Sequence, residues 1–139
     1  MYFYKTIDMR KLGFILLALV LTTGFAFAQD GKKAPKAVFA KVEHNFGKIA
    51  ESVGTVTCEF IFKNEGNAPL IIQRVQASCG CTTPDYTKEP ILPGKEGKIK
   101  VTYSATGRPG AFDKKVTVFS NVADEVYVLT VKGEVIRGK

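Results

Sequence analysis

Alternation of apolar and polar residues at a period of two runs through most of this chain, from Val38 onward, with no window of helical period to compete with it. Val38, Ala40 and Val42 alternate with Phe39, Lys41 and Glu43, which predicts a first strand. Thr55 to Lys63 alternates most cleanly, with Val56, Cys58, Phe60 and Phe62 on one face and only Ile61 out of step. Leu70 to Val75 predicts another strand, whose pattern slips at Gln73-Arg74, the mark of a bulge. In Lys98 to Ser104, Ile99, Val101 and Tyr103 should face inward. Val116 to Phe119 and Val126 to Val135 supply the last two strands.

The punctuation between these runs has physical causes. Asn64-Glu65-Gly66-Asn67 is a turn, because Gly and Asn tolerate positive φ, and Pro69 can open a strand but not donate within one. Pro93-Gly94 and Gly107-Arg108-Pro109-Gly110 are further turns. Six or seven strands with turns every ~8–12 residues predict an all-β, antiparallel sandwich of about seven strands with immunoglobulin-like architecture. The antibody version is excluded, since the chain has no Trp and its cysteines are wrongly spaced for an inter-sheet bridge.

The amino-terminal segment belongs to a different class of sequence. Arg10 and Lys11 precede an apolar run, Leu12 to Phe25, followed by Ala26-Phe27-Ala28. That order predicts a helical signal peptide over residues 1–28, cleaved after Ala28, and hence an exported protein, periplasmic or extracellular. Met9 directly precedes Arg10 and offers an alternative start. The apolar run is shorter than the ~20 residues of a spanning helix, so membrane contact is expected only through this segment before cleavage. Residues 29–36 read as a flexible lead-in and residues 37–137 as one β-sandwich domain.

Without residues 1–28 the chain keeps 17 basic and 12 acidic side chains, a net charge of +5. The lysines are scattered at alternate strand positions, as on a solvated sheet face, and edge lysines discourage edge-to-edge pairing. With export expected as well, nucleic acid is not an expected partner.

Several motifs fall in a fixed order: Asn45-Phe46-Gly47, Phe60 to Leu70 (FIFKNEGNAPL), Ser78 to Thr82 (SCGCT) and Pro93-Gly94. Gly110-Ala111-Phe112, Ser120-Asn121 and Lys132 to Val135 complete the set. Together they resemble the bacterial family DUF1573, whose function is unknown, over nearly the whole expected mature chain. The same skeleton is similar to Hydin-like ASH domains and, more distantly, to major sperm protein and PapD-type sandwiches. Those relatives imply a binding or assembly module rather than an enzyme, by analogy of fold. The resemblance supplies no active residues, and Cys58 lies outside its signature.

Three cysteines leave one unpaired if one disulfide forms. Cys58 shares the apolar face of its strand and reads as a small buried hydrophobe. Cys79 and Cys81 are two residues apart, and Gly80 can bend the chain to bring their sulfurs together. Three readings stay open for them: a local staple, a dithiol–disulfide redox pair, or two ligands of a copper or zinc ion. The metal reading would need Cys58 and the sole histidine, His44, as further ligands, although His44 reads more simply as a half-exposed turn residue. No catalytic set is apparent and no cofactor is expected. The expected activity is therefore non-enzymatic binding of another envelope or secreted protein, by addition of a partner strand to a sheet edge. Loops carrying Thr82, Asp85, Arg108 and Phe112 are the candidate contact surfaces.

Overall fold

A computed structural model describes residues 31–138 and is all-β, with eight strands. The expected signal helix and its cleavage point lie outside the described residues. The strands are β1 (Ala37–Phe39), β2 (Glu43–Ala50), β3 (Thr55–Asn64), β4 (Ile72–Ala77), β5 (Thr82–Tyr86), β6 (Glu96–Ser104), β7 (Gly110–Ser120) and β8 (Val126–Ile136). They form two four-stranded sheets in the orders β1-β3-β6-β5 and β2-β8-β7-β4. The inward residues of both sheets share one core, with Phe60, Phe62, Ile99 and Val101 from the first and Val116, Val118, Leu129 and Val131 from the second.

The period-two pattern placed the central strands correctly. Phe60, Ile99 and Val101 are fully buried, Tyr103 nearly so, and Cys58 joins them in the core. The β4–β7 register shifts between Ile72 and Arg74, where the alternation slips.

The count differs from expectation at two places, the first strand and Thr82–Tyr86, an expected loop that forms β5, and the pairing differs at the first strand. The expected single strand is two, and β2 pairs with β8 in parallel, so the structure is mixed rather than wholly antiparallel. The chain leaves the first sheet after the Ala40 N–H donates to Ile61 and joins the second where Val42 accepts from the Thr130 N–H. The apolar set of the predicted strand is also the outward one. Val38 and Val42 are exposed, while the Phe39 ring packs on Phe62 and Tyr127 at 5.2 and 5.3 Å. One large aromatic outweighs two smaller aliphatic side chains in choosing the buried face.

The Asn64–Asn67 turn is built around a buried amide. Asn64 Nδ2 donates to the carbonyls of Ala68 (2.7 Å) and Ile91 (2.8 Å). Its Oδ1 accepts from the N–H groups of Gly66 (3.0 Å) and Lys36 (3.3 Å). A Cβ on Gly66 would collide with the backbone of Ala34 to Lys36, so only glycine lets that segment lie across the turn. The lead-in is thus held over its last three residues, with Ala34 and Asn67 bonded to each other twice. Asn121 does the equivalent work at the start of β4, accepting from the Ile71 N–H and donating to the Pro69 carbonyl.

Candidate functional site

Four of the sequence motifs meet at one end of the two sheets, around the ring of Phe112. Tyr103 from β6 stacks on this ring with centroids 3.8 Å apart and planes 11° from parallel. Phe46 approaches from β2 at 6.4 Å. Gly133 of β8 supplies the remaining wall, where a Cβ would lie 2.9 Å from both the Phe112 ring and the Gly47 carbonyl. Gly47 itself has φ +68° and donates its N–H to Asn45 Oδ1 at 2.8 Å, which sets the bulge in β2.

Cys79 and Cys81 are joined in a disulfide with Cα atoms 5.3 Å apart. The bridge is fixed on both sides. The Ser78 N–H donates to Lys115 of β7, and the Cys81 carbonyl accepts from Ser104 of β6. Cys81 is buried with Tyr103, Ala105, Phe112 and Val135, while Cys79 packs against that cluster and is only partly buried. Thr82 Oγ1 lies 3.7 Å from each sulfur. Above the bridge opens a cavity of about 400 Å³ lined by Cys79, Cys81, Tyr103, Arg108, Phe112 and Lys114, among others. Its charged groups are both cationic. Burial raises the Tyr103 phenol pKa, and the nearby Arg108 charge offsets part of that rise. A second concavity of about 370 Å³, lined by Asn45, Gly47, Lys132 and Gly133, lies on the other side of Phe112.

The other predicted site residues are dispersed. Cys58 sits in the main core, where burial raises its thiol pKa to about 11. His44 is on β2, accepts from Lys41 Nζ at 3.0 Å and packs edge-on to Phe46. Desolvation lowers the His44 pKa, and the Lys41 charge adds to the effect. Among the described residues no three His, Cys, Asp or Glu side chains converge as metal ligands, so His44 and Cys58 do not complete a site with the Cys79–Cys81 pair.

Of the four expected loop contacts, only Arg108 lies in a loop. Thr82 and Asp85 belong to β5, and Phe112 to β7. Thr82 and Phe112 are buried, so their side chains are walls of the site rather than contact points on a loop. Asp85 remains exposed beside Lys88. Sequence reasoning missed Tyr103 and Lys114 as site residues. Tyr103 was legible as an inward residue, but nothing local in sequence said that it would meet Phe112 and Cys81.

The sheet edges are the other surface with potential for recognition. In β5, residues 81 and 87 bond to β6 at Ser104 and Lys98, so by the alternation of an antiparallel ladder Thr82, Pro84 and Tyr86 point their backbone outward. The Thr82 N–H is taken by the Cys79 carbonyl, Pro84 has none, and the Tyr86 N–H donates to Asp85 Oδ1. That edge offers no free donor. β1 has only three residues, and β2 is interrupted by its bulge. Just past β4 the Ser78 N–H donates to the Lys115 carbonyl. By the same alternation the backbone N–H and C=O groups of Val75 and Ala77 point away from β7, while their side chains pack against the core. β4 is an edge strand with β7 as its one paired neighbour. Among the described residues nothing bonds the outward N–H and C=O groups of Val75 and Ala77, although the Tyr86 hydroxyl of β5 donates to the nearby Gln73 carbonyl.

The family model described as a protein of unknown function, DUF1573, matches residues 37–135. The chain belongs to DUF1573. No curated protein matches it. A protein of unknown function from Porphyromonas gingivalis W83 is similar in structure, with TM-score 0.63 and 14% identity over 77% of this chain and 50% of that one. A family 123 glycoside hydrolase from Clostridium perfringens aligns with TM-score 0.57 and 10% identity over 76% of this chain and 27% of that one. The VesB protease of Vibrio cholerae aligns with TM-score 0.54 and 13% identity over 73% of this chain and 31% of that one. The DUF1573 chain thus spans half or less of the length of these structures. At such identities the likeness is one of fold alone.

Proposed function

We propose that this DUF1573 domain is an exported, non-enzymatic binding or assembly module of the cell envelope, which takes an extended segment of another exported protein along β4. We read the two sheets as a single immunoglobulin-like sandwich whose first strand is divided between them. The observation that carries the binding reading is the contrast between edges: β5 is closed by Pro84 and its neighbours, whereas β4 leaves the outward backbone of Val75 and Ala77 open. A partner strand there would gain main-chain hydrogen bonds from β4, and side-chain fit would set selectivity. The exposed neighbours Arg74, lying 4.1 Å over the Phe119 ring, and Gln76 favour a neutral or acidic segment.

Photo-crosslinking in intact cells tests this reading. A photoreactive side chain at Gln76 should capture a defined protein partner, and one at Asp85 on β5 should not. Val75→Pro removes an outward N–H without touching the bonds to β7, and should abolish capture while the protein still unfolds cooperatively. Capture that persists in a folded Val75→Pro protein, or that yields only a second copy of this chain, would overturn the proposal. Should Val75→Pro not fold, Ala77→Pro carries the same comparison.

A further inference from the structure

We propose that the Cys79–Cys81 bridge is a thiol–disulfide exchange site for anionic thiols, independent of strand uptake at β4. A purely structural staple would gain stability by closing a long loop, because the entropy removed from the unfolded chain grows with loop length. Here the two cysteines are only two positions apart. The strands on either side are already fixed by Ser78 to Lys115 and by Cys81 to Ser104. Little is left for the bridge to hold in place. What distinguishes it is access. Both cysteines line an open cavity, but Cys79 is only partly buried, whereas Cys81 is buried against Tyr103 and Phe112.

That asymmetry dictates the course of the reaction. An incoming thiolate, R–S⁻, attacks Cys79 Sγ; the new S–S bond forms as the Cys79–Cys81 bond breaks, and the electron pair leaves on Cys81 Sγ. Thr82 Oγ1, 3.7 Å from that sulfur, is placed to donate to the thiolate before it takes a proton from solvent. A second R–S⁻ attacks the sulfur of R in the mixed disulfide, releasing R–S–S–R and the Cys79 thiolate. Two thiols are thereby oxidised by two electrons, and the bridge is reduced to a dithiol. The reverse sequence, with R–S–S–R as oxidant, restores it. Arg108 and Lys114 on the cavity rim favour a thiol that carries carboxylates, by concentrating it and by raising its thiolate fraction.

Native protein is mixed with glutathione as the anionic probe and with cysteamine as a cationic one, and rates are compared per thiolate. Mixed disulfides are located by alkylation and peptide mass measurement. Glutathione should react faster and attach at Cys79, with Cys58 untouched. The Arg108→Ala/Lys114→Ala protein should lose roughly three- to tenfold of the glutathione rate and little of the cysteamine rate. Attachment at Cys81, equal rates for the two probes, or a bridge that stays closed in folded protein under excess dithiothreitol would each overturn the proposal. The double variant leaves β4 unaltered, so the photo-crosslinking result from Gln76 stands or falls separately.

Discussion

Replacing Asn64 by Ala removes a fully buried side chain that makes four hydrogen bonds, to Ala68, Ile91, Gly66 and Lys36. A typical protein hydrogen bond contributes about 1 kcal/mol net, which sets an upper figure of about 4 kcal/mol. Two features reduce it. The Ile91 carbonyl keeps a second donor in the Leu70 N–H, and the Gly66, Lys36 and Ala68 partners are only part-buried, so water can replace the lost amide. The expected loss is therefore about 2–3 kcal/mol. Urea unfolding followed by circular dichroism measures it directly, with tyrosine emission as a second probe, since the chain has five Tyr and no Trp. In a domain of this size a loss of ~3 kcal/mol lowers Tm by roughly 12 °C or more.

Asn64→Asp sharpens the test. It keeps the acceptor but turns a carboxylate toward the Ala68 and Ile91 carbonyls, so its folded pKa must rise above the unfolded value. A group shifted in that direction gives its full support at pH below the unfolded pKa and loses it as pH rises toward the folded one. Asn64→Asp should accordingly be closer to wild type at pH 4 than at pH 7. A loss under about 1 kcal/mol for Asn64→Ala, or no pH dependence for Asn64→Asp, would refute the assignment of this amide as the hub of the turn.

Three further outcomes follow from the same packing. Gly66→Ala places a methyl group against the Ala34–Lys36 backbone, so that segment should detach and trypsin should cut at Lys36 several-fold faster than in wild type. Burial, the hydrogen bond to Glu125 and its charge raise the Tyr127 phenol pKa to about 12. Folded Tyr127 thus holds its proton after the unfolded chain has released it, stability should fall as pH rises from about 10 toward 12, and Tyr127→Phe should flatten that decline in alkaline unfolding curves. Cys58, with its thiol pKa pushed up to about 11, should resist iodoacetamide at pH 8 in native protein and react at once in urea; modification of the native chain would contradict its place in the core.

What could be read from the chain alone was whatever depends on neighbours in sequence. Alternation marked β3 and β6 and turned Cys58, Phe60, Ile99 and Val101 inward, because the pleat fixes side-chain direction within a strand. The slip at Gln73-Arg74 marked a bulge, and the Asn-Gly turn at 64–67 announced itself by composition. The tertiary structure alone decided which sheet each strand joins. It divided the first strand where Phe39 found Phe62 and Tyr127, and it drew Thr82–Tyr86 into β5 despite Pro84, because an edge position tolerates a missing N–H. It also brought Cys81, Tyr103 and Phe112 together from three separate segments. Pairing energies between residues far apart in sequence settle such choices, and a local pattern of apolar and polar residues carries no record of them.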